Sequence, residues 1–306
     1  MFWENIKEAV TSISSNKMRS LLTMLGIIIG ISSVIIITTI GGSIQSTLTA
    51  TMNSLGGNMV QAYVEARYPE NDEDWATWEQ PEMTDSDYVT QDMIDGLIEK
   101  YPDEVTGVAA QNYLGSGTIK DDADSKNYAN VNIDGITPEY LEYMKLEMHA
   151  GRNLTKADNQ GKKRVCLIAD TMAERYFAGK DPIGETLSVA TSDGGIFDFV
   201  VVGVYVYNQA LFGKVDTSIP EKDRVTELMI PLQTCFKLQG TDRTGYDYFN
   251  LMIDPLADVN QATTDVLSYF DEMYANNKNF HVSAYNMASD LGMINTVLNV
   301  CLLYTS

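Results

Sequence analysis

The sequence predicts an α+β fold carried outside a membrane: an N-terminal transmembrane helix with a helical stalk, a mixed α+β extracytoplasmic core domain, and the start of a second transmembrane helix at the C-terminus. Three observations carry that expectation. Leu21 to Ile40 is twenty residues without one charged side chain, and as a helix that length covers about 30 Å, the thickness of a bilayer's hydrocarbon core. From about residue 59 to 284, short alternating runs interchange with runs of helical period. From Leu291 the charges vanish again, in LGMINTVLNVCLLYTS.

Residues 1–20 place apolar side chains at Phe2, Ile6, Ala9, Val10 and Ile13 with polar residues between, the spacing of an amphipathic helix lying along a membrane face. Lys17 and Arg19 follow at the membrane edge, and no other basic cluster flanks the span before Arg67. The excess of positive charge on that side puts the N-terminus in the cytoplasm. The apolar run is longer than the core of a cleaved signal peptide and no small-x-small cleavage pattern follows it closely, so it reads as an uncleaved anchor. Within the span (21–41), Gly26 and Gly30 form a GxxxG and Ser33 continues the small face one turn on, a surface that a neighbouring helix backbone can approach closely. The helix is expected to continue through a stalk, 42–58, whose stripe is Ile44, Leu48, Met52 and Leu55, until Gly56-Gly57 caps it.

The core domain, 59–285, opens on a half-buried strand from Met59 to Ala66, with Val60, Ala62 and Val64 on one face. Pro69 to Asp87 is an acidic loop whose Trp75 and Trp78 are read as pinning it to its own domain. Thr90 caps a helix through Lys100, and strands follow at 105–110, 113–120 and 128–136. The DDADSKN turn between the last two lacks the glycine and the distal glutamate of a calcium loop and reads as a solvated turn. Thr137-Pro138 is expected to open a helix along TPEYLEYMKLEM. A strand at 164–168, a helix at 171–177, a strand at 185–190, a Gly194-Gly195 hairpin and a strand at 197–207 come next. Residues 208–226 read as a mobile loop, 228–230 and 249–253 as short strands, and 258–274 as an amphipathic helix. Residues 286–306 are expected to begin the second span.

Composition narrows the function. The formal charge of −21 becomes −22 once the net +1 of residues 1–20 is set aside, a surface that repels nucleic acid and anionic lipid and stays soluble. Cys166, Cys235 and Cys301 are odd in number and widely spaced, with neither a disulfide framework nor CxxC metal spacing. No GxxxxGK[ST] is present, since Gly161-Lys162, Gly179-Lys180 and Gly213-Lys214 all lack the earlier glycine that a phosphate cradle needs. His149 and His281 are the only histidines, without HExxH, and no GxSxG occurs. The sequence names no catalytic residue, cofactor or metal ligand.

NKMRSLLTMLGIIIGISSVIIITTIGG at the span and LGGNMV at the stalk's end, with NIDGITPEYLEYMKLEMHAGRNLTKAD, RVCLIADTMAERYFAGKDPIGETL and FVVVGV in the core, cover essentially the whole chain. Taken together they resemble the permease subunit of the MacB/FtsX-like ABC transporter family. The resemblance implies a first transmembrane helix, a large extracytoplasmic core and three further helices, driven by a cytoplasmic ABC ATPase partner. It further implies a homodimer or a heterodimer with a paralogous permease in the cell membrane, and work on a peptide, lipid or lipoprotein substrate. The chain ends where the second helix should begin, so it reads as a piece of a longer reading frame, and its 67–87 loop is longer and more acidic than the family pattern. A single-span anchored receptor without an ATPase is the alternative, and an anchored hydrolase a weaker third.

Overall fold

A computed structural model of the 306-residue chain describes residues 2–15, 17–54, 59–69, 71, 75, 77–121, 127–212, 218–241 and 243–286. The chain divides at Ser54 into two compact units. The first contains α1 (Phe2–Ser15) and α2 (Lys17–Ser54), a helix of 38 residues. Its stretch Lys17–Ser43 is long and apolar enough to cross a membrane. Leu22, Ile27, Ile29 and Ile35 are each more than half exposed, and lipid is the surrounding that makes such exposure favourable. Polar atoms inside the stretch are satisfied within the helix: Ser33 Oγ donates to Gly30 O at 2.8 Å and Thr38 Oγ1 to Val34 O at 3.0 Å. The apolar C-terminal stretch from Leu291 lies outside the described residues.

The second unit has two lobes. In the first, β1 (Met59–Ala66), β2 (Val105–Ala109), β10 (Tyr248–Ile253) and β11 (Phe280–Asn286) form an antiparallel sheet in the order β11-β1-β10-β2. Alternate residues of β1, Val60, Ala62, Val64 and Ala66, face a core filled by α3 (Gln91–Lys100) and α9 (Val259–Met273). Phe249 and Phe270 meet edge to face there, ring centres 5.9 Å apart. Thr90 Oγ1 accepts from Met93 N at 3.2 Å to start α3, and Asp258 accepts from Asn260 N and Gln261 N to start α9.

The second lobe is a mixed sheet. It contains β3 (Gln111–Lys120), β4 (Tyr128–Ile136), β5 (Met148–Gly151), β6 (Val165–Ala169), β7 (Thr186–Thr191), β8 (Ile196–Tyr205) and β9 (Val225–Pro231), in the order β5-β8-β6-β9-β4-β3-β7. One half of the long β8 pairs with β7 and the other half with β5. The β7–β8 pairing closes six of the strands into a ring, which leaves those strands no open edge along the paired segments. Buried Ile119, Val131, Ile133, Leu167, Val189 and Phe199 are part of its core, with α6 (Asp170–Phe177) against β4, β6 and β8.

The expected helix along TPEYLEYMKLEM is instead the single turn α4 (Tyr140–Tyr143), and Met148 already belongs to β5. Thr137 is occupied elsewhere: its Oγ1 accepts from Ala110 N at 3.0 Å and donates to Val108 O at 3.2 Å, so it caps nothing. Tyr140, Leu141 and Leu146 are all buried, and Lys145 at φ 50° turns the chain into the strand. The expected 208–226 loop contains α7 (Gln209–Phe212) and a 3-10 turn at Glu221–Asp223, and β9 begins at Val225. Helices α5 (Lys156–Gln160) and α8 (Leu232–Leu238) and strand β11 also had no sequence expectation. The DDADSKN turn lies largely outside the described residues.

Candidate functional site

The two lobes share α8. Its Leu232 and Phe236, one turn apart, enter the first core, while Cys235 enters the second. Gly135 on β4 makes this possible, because a Cβ there would sit 2.3 Å from Cys235 Cβ and 3.3 Å from Leu232 Cα. The helix therefore rests directly on the strand backbone. The chain also passes between lobes at Ala110, whose N–H and C=O are both held by Thr137.

Around this junction the GRNLTKAD segment builds one wall of a cleft. Gly151 has φ 72° and would place a Cβ 2.4 Å from Val202 O, so only glycine fits the bend. Asn153 Nδ2 donates to Pro138 O at 2.8 Å. Asp158 is the hub: Arg152 Nη1 at 2.7 Å, Lys163 Nζ at 3.0 Å and Thr155 N at 3.0 Å all donate to its carboxylate, whose side chain is 1% exposed. Burial by itself would raise its pKa, but the hydrogen bonds from Arg152, Thr155 and Lys163 win and hold the carboxyl well below the usual range. Asn159 Oδ1 then accepts from Gln233 N at 2.9 Å, and Thr234 Oγ1 donates to Lys163 O at 2.8 Å, tying the wall to α8.

The cleft has a volume of about 340 Å³. Asp92 and Asp95 come from the first turns of α3, Lys156 from the GRNLTKAD wall and Glu139 from the segment before it, and Lys162 and Gln233 are also in the lining. Lys156 Nζ lies 3.6 Å from Glu139, Gln91 Nε2 donates to Asp95 at 2.9 Å, and Tyr246 OH donates to Gln91 at 2.5 Å. Gln233 Nε2 donates to Thr244 O at 2.9 Å, whereas its buried Oε1 accepts nothing among the described residues.

A second polar group lies in the ring. Asp134 on β4 and Glu227 on β9 lie on neighbouring parallel strands, with Asn132 Nδ2 donating weakly to Glu227 at 3.4 Å and Tyr205 OH donating to Glu227 O at 2.9 Å. Burial first, and the neighbouring Asp134 second, push Glu227 up from the usual carboxylate range.

A third group, Glu65, His281 and Ser283 on the outer face of the first sheet, contains the residue types of a hydrolase. Its order is wrong for one: Ser283 Oγ donates to Glu65 rather than to the imidazole, and His281 Nε2 faces both, 3.2 Å from Glu65 and 3.3 Å from Ser283. The other ring nitrogen, Nδ1, is buried and has no partner among the described residues. An imidazole placed this way cannot take the serine proton while being oriented by the acid. Among the described residues no group of three or more His, Cys, Asp or Glu could hold a metal ion.

Lys17 and Arg19 lie in the first turn of α2, and Gly26, Gly30 and Ser33 share its apolar stretch. No described atom lies within 4 Å of a Cβ built at Gly26 or Gly30. Ile44, Leu48 and Met52 continue the same helix, and Leu55 lies outside the described residues. Tyr68 stacks on Trp75 at 5.6 Å, and Trp78 packs against the first core. Both ends of that loop are tied to one turn, since Arg67 Nε donates to Asn277 O at 3.0 Å and Tyr274 OH donates to Asp87 O at 2.7 Å. Neither the cleft nor the acid pair was found from sequence; their residues are scattered and individually ordinary.

Comparison with known proteins matches the model of the MacB-like periplasmic core domain to residues 20–269. The uncharacterized ABC transporter permease YknZ of Bacillus subtilis is 31% identical over 186 residues, covering 60% of this chain and 43% of that protein. The macrolide export ATP-binding/permease protein MacB of Neisseria gonorrhoeae is 25% identical over 221 residues, covering 70% of this chain and 30% of its own length. The crystal structure of the periplasmic region of MacB from Actinobacillus actinomycetemcomitans superposes with a TM-score of 0.52 at 16% identity, over 81% of this chain and 98% of that one. That likeness establishes the mixed α+β fold. The chain spans less than half the length of these two curated relatives.

Proposed function

Because the chain belongs to the MacB-like periplasmic core domain family, we propose that it is the permease subunit of an ABC transporter, coupling ATP hydrolysis by a partner ATPase to movement of an extracytoplasmic domain. The observation that carries the reading is the family match beginning at residue 20, on the apolar helix, and running through both lobes to residue 269. The names of YknZ, an ABC transporter permease, and of MacB, a macrolide export ATP-binding/permease protein, point the same way. In this reading residues 1–20 lie on the cytoplasmic face, 21–41 cross the membrane, 42–58 form the stalk, 59–285 the outer core, and 286–306 begin a second crossing. ATP binding and hydrolysis belong to the partner, and the chain itself is non-catalytic.

Two physical features suit such a part. A helix without proline from residue 17 to 54 keeps its backbone hydrogen bonds internal and bends little, so it transmits displacement along its axis. The shared helix α8 makes the two lobes of the core respond together rather than hinge, since its side chains are buried in both cores. Small-residue positions at Gly26, Gly30 and Ser33 serve the contact with a second permease, identical or paralogous. The cargo is a peptide, a lipid or a lipoprotein.

The test is co-purification. The protein extracted from its native membrane in mild detergent, after crosslinking, should bring down an ABC ATPase, and ATP turnover of that complex should exceed turnover of the ATPase alone. Recovery free of any ATPase would overturn the permease reading in favour of an anchored receptor.

A further inference from the structure

A second cavity, apart from the junction cleft, opens where two strands of the ring part. β6 and β9 share a single bridge, Leu167 opposite Met229. Carrying that register on would set Val225 opposite Thr171, but at Asp170 the chain has already turned into α6. The start of β9 therefore has no strand beside it on that side, and the space left, about 310 Å³, is lined by Thr171 and Val225 from its two sides. It lies at the mouth of a closed sheet, a common place for a ligand, and at the small end of ligand pockets.

Most of its wall is apolar. Met172 is buried, Tyr207 and Phe212 pack ring against ring with centres 5.4 Å apart, and Ile219 and Val225 are large apolar side chains left 40% and 50% exposed. Against this wall stands Arg175, four residues along α6 from Thr171 and so on the same face of the helix. Its guanidinium carries five N–H donors. Only Nη1 is engaged, donating to Tyr128 O at 2.7 Å. Two carboxylates share the lining without closing on it: Asp223 accepts from Tyr128 OH, and Glu221 is exposed on the 3-10 turn. Burial pulls the half-buried guanidinium below its usual value even against the attraction of Glu221 and Asp223. A planar fork of donors left unmatched beside an apolar wall suits a planar oxyanion, which can accept two parallel bonds from it.

We infer that this cavity binds a monocarboxylate on an apolar body, with the carboxylate taking the spare donors of Arg175 and the hydroxyl of Thr171, and the body lying on Met172, Tyr207 and Phe212. The C-terminal residue of an apolar peptide and a medium-chain fatty acid both present this chemistry. Neither the membrane helix nor an ATPase enters the inference, which therefore stands apart from the transport reading.

The experiment is calorimetric titration of the full chain in neutral detergent with N-acetylphenylalanine, with N-acetylphenylalaninamide and with octanoate. Saturable binding of N-acetylphenylalanine at least tenfold tighter than of its amide is expected. The tighter of the two carboxylates assigns the site to a peptide end or to a fatty acid. Arg175→Gln retains a donor for Tyr128 O and removes the charge, and it should weaken the better carboxylate at least fivefold with an unchanged circular dichroism spectrum. Val225→Asp, at a half-exposed position on the rim, should do the same by setting a negative charge beside the ligand. Equal binding of acid and amide, no saturable binding of either carboxylate, or undiminished binding in both variants would each overturn the assignment. None of these readouts involves ATP, so failure here is separable from failure of the permease reading.

Discussion

Asp134 and Glu227 sit on neighbouring parallel strands, two positions apart in register, and the carboxyl of Asp134 helps to raise the pKa of Glu227. A buried carboxyl beside a second negative charge favours its protonated form. Burial and Asp134 push Glu227 from its ordinary 4.5 to about 7. The folded chain then holds a proton that the unfolded chain releases, so this group's contribution to stability is intact below about pH 4.5 and declines as the pH rises to about 7. Glu227→Gln keeps a donor toward Asp134 and removes the titration. Its melting temperature in detergent should be nearly flat from pH 5 to 8, and at pH 8 it should gain about 1–2 kcal/mol over the parent, an amount limited by solvent screening at the partly open carboxyl. An identical pH slope in parent and variant would refute the proton held at Glu227.

Asp158 titrates in the opposite sense. Its carboxylate gathers Arg152, Lys163 and the Thr155 cap in a setting 1% exposed, so its contribution is complete above the ordinary carboxylate range and lost as the pH falls below about 4. Asp158→Asn leaves two cations facing an amide and should cost about 2–4 kcal/mol. The loss should be seen as a lower melting temperature at pH 7, shrinking toward pH 3. A variant as stable as the parent at pH 7 would show that Asp158 is not the hub of the wall.

Gly135→Ala tests the shared helix. The new Cβ would stand 2.3 Å from Cys235 Cβ, so α8 must lift off β4, at a cost of about 1–3 kcal/mol. Cys235→Ala in the same chain retains the offending Cβ and should rescue nothing, whereas Cys235→Gly should recover part of the loss. Equal stability of all three double and single variants would mean that α8 is not seated as described.

The parts of this fold that were legible are those whose residues answer to one partner. Val60, Ala62 and Val64 alternate because β1 has one buried face, and Thr90 announces α3 because an N-cap is a local bond. By contrast α8 buries Leu232 and Phe236 in one core and Cys235 in another, so it shows no single stripe. TPEYLEYMKLEM carries good helix-start residues, yet Thr137 spends its hydroxyl on Ala110 and Val108, a long-range bond that local pattern cannot contain. Ring closure depends on β7 meeting β3, as in Gly117 opposite Thr191, a register set by the whole sheet. The cleft was out of reach for the same reason: Asp92, Glu139 and Gln233 belong to three separate elements, and what distinguishes Gln233 is the donor it lacks.

Gly30→Leu separates the membrane helix's own stability from its assembly. Against the described residues the substitution is tolerated, because none of their atoms lies within 4 Å of the new Cβ, and replacing a helical glycine removes a penalty of about 1 kcal/mol. A loss of assembly then points to a neighbouring helix that needs the backbone at Gly26, Gly30 and Ser33 to be bare. Small-residue faces of this kind gain their affinity from close van der Waals approach, which a leucine holds apart. If these residues form the permease contact, the variant should insert normally, keep its melting temperature, and show a dimer fraction reduced about tenfold by crosslinking in detergent, with Ile28→Leu on another face as the control. An unchanged dimer fraction would move the contact off this face and leave the three small residues as ordinary members of a membrane helix.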